Sequence, residues 1–164
     1  MIEFVTRVRI DRSIEDVFAY VANPENFPHW NTAVRAVRRT SAGADAVGST
    51  YWMARDLPTG RAENELGITA HEPPRAFSIR TTSGPTPFVY RYTFSPSDGG
   101  TLLELHAAVE LSGLAARLGP LAKRAIKSGV DDNLRSSRPL LSASDGRAPH
   151  PHAMRSEGRS ASVV

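Results

Sequence analysis

The chain has 164 residues, of which 40% are hydrophobic; 20 Lys and Arg stand against 17 Asp and Glu, and cysteine is absent. That length suits one domain with a sizeable core and is short for two. Lack of cysteine excludes disulfides, thiolate catalysis and cysteine-based metal sites, and a net charge of +3 is too small an excess to select nucleic acid as a partner.

Met1 leads directly into an alternating segment carrying Glu3, Arg7 and Arg9, unlike a signal peptide. No apolar run approaches the roughly 20 residues of a membrane span, so a cytoplasmic protein is expected. From Ile2 to Ile10 the residues Ile2, Phe4, Thr6, Val8 and Ile10 share one face, the pattern of a half-buried strand. Ser13 then precedes IEDVFAYVA, where Ile14, Val17, Phe18 and Val21 fall at helical spacing, which predicts a short helix with Ser13 as its N-cap. Asn23-Pro24 stops it and opens a second short helical piece, PENFPHW, that offers Phe27 and Trp30 to the core.

Six further strands are predicted. Ala33 to Thr40 is basic, and the odd spacing of Val34 and Val37 points to a bulge. Ser49 to Arg55 holds Tyr51, Trp52 and Met53 in succession; neighbours alternate, so all three cannot point inward, and the parity stays open. Arg61 to Glu72 has Leu66, Ile68 and Ala70 in phase, and Arg75 to Thr82 has Phe77, Ile79 and Thr81. Phe88 to Ser95 aligns Phe88, Tyr90, Tyr92 and Phe94, and Thr101 to Leu111 aligns Leu103, Leu105, Ala107 and Val109. On these phases His71, Glu104 and His106 face solvent.

Gly113 to Arg138 is the one long segment with helical periodicity, its stripe formed by Leu114, Leu118, Leu121, Ala122, Ala125, Ile126, Val130 and Leu134. Gly119-Pro120 interrupts the first turns and marks either a kink or the true start. Arg117, Lys123, Arg124, Lys127, Arg135 and Arg138 outnumber Asp131 and Asp132 there. A basic amphipathic helix can dock transiently on an anionic membrane, and a solvated helix face explains the same charges. Residues 139–164 are dominated by Ser, Ala, Pro, Gly and Arg and read as a disordered tail, leaving 1–138 as the domain. His150 and His152 around Pro151 are too few ligands for a metal site. No cofactor is expected, and no nucleic acid, since no aromatic platform interleaves with the basic residues.

A strand, two short helices, six more strands joined mostly by hairpins, and a closing helix imply an α+β architecture. In it a curved seven-stranded antiparallel sheet wraps a long C-terminal helix. The run IDRSIEDVFAYVANPENFPHWN resembles the opening of the SRPBCC superfamily, the START and Bet v 1-like helix-grip proteins, and within it the polyketide cyclase/dehydrase or lipid-transport group. ITAHEPPRAFSIR resembles that group's strand, double-proline turn and strand, and SDGGTLLELHAAVEL its last hairpin. The resemblance covers Ile2 to Arg138 and implies an elongated hydrophobic cavity between sheet and C-terminal helix, holding a lipid, a polyketide or another apolar small molecule.

Candidate lining residues are Phe4, Trp30, Tyr51, Trp52, Met53, Phe77 and Ile79, then Thr81, Phe88, Tyr90, Tyr92 and Leu105 along the sheet, with Leu118, Ala122 and Ile126 on the helix. Binding or transport of an apolar ligand is the leading expectation. A cyclase or dehydratase with Tyr90, Tyr92 or Thr81 as polar contacts is one alternative. Pocket and packed core share a composition, so a partner-regulating domain with a filled core is the other. No paired carboxylates, nucleophile elbow, P-loop, HExxH or dinucleotide fingerprint is present, and no catalytic residue is identifiable. Monomer and homodimer both remain open.

Overall fold

The computed structural model describes residues 1–57, 60–110, 124, 127–132, 134 and 135. Seven strands follow the expected order: β1 (Ile2–Ile10), β2 (Val34–Arg39), β3 (Thr50–Leu57), β4 (Gly60–Glu72), β5 (Ala76–Ser83), β6 (Phe88–Ser97) and β7 (Gly100–Val109). They form one sheet in the order β1-β7-β6-β5-β4-β3-β2, with every neighbouring pair antiparallel. Five consecutive hairpins account for this order from β2 to β7, and β1 closes on β7 after the helical excursion. The turn expected around Pro58-Thr59 lies outside the described residues.

That excursion begins with α1 (Ile14–Val21), whose N-cap Ser13 accepts a hydrogen bond from the Asp16 amide at 3.2 Å. Val17, Phe18 and Val21 are buried beneath it, as an apolar stripe at helical spacing requires. Asn23 then caps a short 3-10 turn (Pro24–Asn26) by accepting from the Glu25 amide at 3.0 Å. The turn runs into α2 (Phe27–Trp30), which buries Phe27 and Trp30.

Bulges bend the sheet. One falls between Val34 and Ala36 in β2, where the valine spacing predicts it. Two more lie between β4 and β5: the register passes from Glu65 opposite Ser83 to Leu66 opposite Thr81, and from Ile68 opposite Ile79 to Ala70 opposite Ser78. Thr82 and Thr69 are thus extra residues, and each extra residue increases local twist and switches the phase of the strand beyond it.

One face of the sheet, the inner face, gathers the core. Phe4, Val8 and Ile10 of β1 join Tyr51 and Met53, Leu66 and Ile68, Phe77 and Ile79, and the β6 and β7 residues Phe88, Tyr92, Phe94, Leu103, Leu105, Ala107 and Val109. Residues 127–132, 134 and 135 are helical. Leu134 is 1% exposed within this core and Val130 packs against it. Thr6, buried on the inner phase of β1, donates its hydroxyl to the Asp131 carboxylate, which also accepts from Lys127 Nζ at 2.7 Å. The rest of the expected Gly113 to Arg138 helix, including Gly119-Pro120, and the expected tail 139–164 lie outside the described residues.

Candidate functional site

The inner face has two chemically different ends. At one, α1 presses Phe18 against Phe94 (5.2 Å between ring centres) and His71 (5.4 Å), and His71 in turn meets Phe77 edge-on at 6.3 Å. His71 is expected to face solvent, and the structure corrects this. The extra Thr69 switches the phase of β4, so that His71 sits opposite Phe77 and turns inward.

The other end is polar. Arg55 follows Tyr51 and Met53 on the inner phase of β3 and is only 8% exposed. Its Nε and Nη2 donate to Asn64 Oδ1 at 3.0 and 2.6 Å, and Nη2 also donates to the Pro85 and Thr86 carbonyls at 2.9 and 3.3 Å. Asn64, 2% exposed, donates its amide to the Ser83 and Pro85 carbonyls at 3.1 and 2.9 Å. Together the two side chains hold the β5–β6 connection against the sheet. Gly84 makes the close approach possible: at φ +97°, a Cβ there would collide with the Glu63 carbonyl and lie 2.6 Å from the Asn64 amide nitrogen.

No carboxylate pairs with Arg55 among the described residues. The guanidinium lies over the Phe88 ring, 5.2 Å from its centre, and Phe88 contacts Tyr90 at 4.4 Å. Burial pushes the Arg55 guanidinium below its ordinary value and the Tyr90 hydroxyl above its own. Tyr92 is raised well above the phenol range, first by burial and then by Tyr90. Both phenols therefore stay protonated at neutral pH and act as donors. Neither hydroxyl makes a hydrogen bond among the described residues. Phe88 and Tyr92 are 4% and 1% exposed, yet Tyr90 between them keeps part of its surface accessible. Trp30, 4% exposed, leaves its indole N–H with no acceptor among the described residues. It lies just upstream of Val34, the register partner of Arg55.

Phe4, Trp30, Tyr51, Met53, Phe77, Ile79, Phe88, Tyr92 and Leu105 are all buried in the inner-face cluster, and Tyr90 packs against it. Thr81 is half-buried, and its hydroxyl is engaged with the backbone of Phe88, accepting from the amide at 2.9 Å. Tyr51 commits its hydroxyl to Asp45, and Asp45 pairs with Arg39 at 3.1 Å. Burial and then Asp45 raise that phenol as well. Trp52 belongs elsewhere: its N–H donates to the Glu63 carboxylate at 3.1 Å and Arg38 covers its ring at 4.8 Å, which puts it on the outer face. The parity left open by the sequence is thereby resolved in favour of Tyr51 and Met53. Leu118, Ala122 and Ile126 lie outside the described residues.

Arg55 and Asn64 are functional candidates that the sequence reading omits. The available signal is phase: Arg55 follows Met53 by two, and Asn64 precedes Leu66 by two. On the outer face, a groove of about 260 Å³ is lined by Glu3, Val5, Arg91, His106 and Ala108, together with Phe4 and Ala107. Beside it Glu104 is held below the usual carboxylate range by hydrogen bonds from His106 and Arg7. Among the described helical residues, Lys127 and Arg135 pair with Asp131 and Asp132 at 2.7 and 3.5 Å, while Arg124 is exposed. Arg117, Lys123 and Arg138 lie outside the described residues. Among those described, no helix is long and apolar enough to cross a membrane.

Residues 1–140 match the model of the polyketide cyclase / dehydrase and lipid transport family. Among solved structures, the protein TTHA0849 from Thermus thermophilus is 14% identical and superposes with a TM-score of 0.75, covering 88% of this chain and 99% of its own. A START superfamily protein from Mycobacterium smegmatis is 14% identical at a TM-score of 0.72, covering 87% and 98%. The di-domain ARO/CYC StfQ from the steffimycin biosynthetic pathway is 14% identical at 0.69, covering 89% of this chain and 52% of its own. Identities this low establish a shared fold and nothing about ligand. No curated protein matches the sequence.

Proposed function

The chain belongs to the polyketide cyclase / dehydrase and lipid transport family, and from that premise we propose that it binds an apolar small molecule, lipid or polyketide-like. The binding space lies between the inner face of the sheet and the C-terminal helix, in a helix-grip arrangement. Tyr90 would face that space, with Phe4, Met53, Phe77, Ile79, Phe88, Tyr92 and Leu105 forming the packed apolar cluster around it.

One observation carries this reading. Tyr90 lies mid-sheet on the inner face, flanked by β5 and β7, and still keeps accessible surface, with no hydrogen-bond partner for its hydroxyl among the described residues. A core filled by its own side chains leaves such a residue no accessible surface, as its in-phase neighbours Phe88 and Tyr92 show at 4% and 1% exposed. A concave apolar space with a few convergent donors is where small molecules bind. The helical residues 127–132, 134 and 135 support the same placement, since Val130 and Leu134 reach the core and Asp131 accepts from Thr6.

Native mass spectrometry of the purified chain tests it, together with titration by phenylnaphthylamine, a neutral dye that fluoresces in apolar surroundings. The expected result is a co-purified mass that organic extraction removes, or saturable dye binding competed by added lipid. A bare chain that binds no dye overturns the reading.

A further inference from the structure

We propose that Arg55, with Tyr90 beside it, is an anchor for an oxyanion or carbonyl oxygen on the ligand, so that the molecule bound is amphipathic and acidic or ketonic at one end. This rests on the binding reading above and adds the chemistry of the ligand's head.

A buried cation demands compensation, and its natural partner is a carboxylate. Arg55 is 8% exposed and has none among the described residues; it is held by one neutral amide oxygen and two backbone carbonyls. Those bonds occupy Nε and Nη2. Nη1 makes no hydrogen bond among the described residues, which leaves part of the guanidinium fork unused. The neighbouring Tyr90 adds a donor: its hydroxyl has no partner among the described residues, and its ring contacts the Phe88 ring on which the guanidinium lies. The local acceptors, Asn64 Oδ1 and the loop carbonyls, are already taken. A site with spare donors and committed acceptors selects a molecule that brings acceptors. Hydrogen bonds from a buried guanidinium to an anion are the strong, charge-assisted kind, so a carboxylate, enolate or polarised ketone fits best.

Two dyes of one framework separate head from body. Anilinonaphthalene sulfonate carries an anionic group that phenylnaphthylamine lacks, and both are titrated into the full chain in about 0.15 M salt, where exposed charges are screened. In wild type the sulfonate dye is expected to bind more tightly. Arg55→Gln is expected to weaken it about tenfold or more while moving phenylnaphthylamine less than about twofold. Tyr90→Phe, which leaves the Arg55–Asn64 clamp intact, is expected to weaken the sulfonate dye selectively by about threefold, and it decides the matter should Arg55→Gln fail to fold. Parallel losses for both dyes, or a folded Arg55→Gln with unchanged preference, overturn the anchor and leave Arg55 a clamp for the β5–β6 connection. Binding of phenylnaphthylamine without any preference for the sulfonate dye overturns the anchor alone, whereas binding of neither dye by wild type overturns the binding reading with it.

Discussion

The two ends of the inner face are closed by opposite means. At the α1 end, Phe18, His71, Phe77 and Phe94 meet ring to ring, and closure there comes from apolar area. At the Arg55 end, closure comes from hydrogen bonds between two buried side chains and the carbonyls of Ser83, Pro85 and Thr86. Apolar contacts are non-directional and tolerate little loss of volume. Hydrogen bonds to a buried cation are directional and leave defined donors unused. On the proposed reading, the first end serves stability and the second also serves recognition.

The largest effect is expected at the apolar end. Phe18→Ala removes a buried ring that touches Phe94 and His71, and a loss of about 3–5 kcal/mol is expected by urea denaturation. A loss below about 1 kcal/mol would mean that this end is not sealed by packing. Asn64→Ala attacks the polar end. It strips Arg55 of the oxygen that accepts from both Nε and Nη2 and removes the donor to two loop carbonyls, at an expected cost of about 2–3 kcal/mol. Unlike Phe18→Ala, it should also speed proteolytic cleavage of the Ser83 to Pro87 connection, because that connection loses its tether.

How the two ends differ in legibility follows from the same physics. Alternation exposes an apolar closure directly: Phe88, Tyr90, Tyr92 and Phe94 read in phase, and all four lie on the inner side. His71 defeats this method because a bulge at Thr69 consumes one residue and reverses the phase, and nothing in Ile68-Thr69-Ala70 announces a bulge. Tyr51, Trp52 and Met53 defeat it differently. Three apolar neighbours carry no alternation, and only the partners of Trp52, Arg38 and Glu63, show which face it takes. Arg55 escapes the method because an arginine near a strand end reads as solvent-facing by composition, although its spacing from Met53 places it inside. The acceptors that make its burial tolerable are loop carbonyls, and these have no sequence signature.

A third test concerns how the helical residues around Asp131 hold to the sheet between the two ends. Burial alone would raise the Asp131 carboxyl, but hydrogen bonds from Lys127 and Thr6 outweigh it and leave its pKa below the ordinary 3.8. A folded pKa below the unfolded value means stability that is fully present above about pH 4 and lost as pH falls through the lowered folded value. Asp131→Asn should flatten the stability profile in that acid window and leave the profile above about pH 5 parallel to wild type, as read by thermal melts across pH. Thr6→Val should cost about 1 kcal/mol at neutral pH. An unchanged acid limb in Asp131→Asn would show that the Thr6–Asp131 contact does not hold the helix.

The smallest expected effect is the most discriminating. Tyr90→Phe deletes a hydroxyl that has no partner among the described residues, so no hydrogen bond is lost and no acceptor is stranded. Without ligand, thermal stability should stay within about 0.5 kcal/mol of wild type. Were Tyr90 part of a filled core with a satisfied hydroxyl, the same change would cost about 1 kcal/mol or more, and the contrast between a packed end and a receiving end would collapse. Silence in stability combined with a selective loss for an anionic dye is the pattern that a side chain kept for a ligand must give. A residue serving the fold cannot produce it, because its contribution would be present whether or not a ligand is bound.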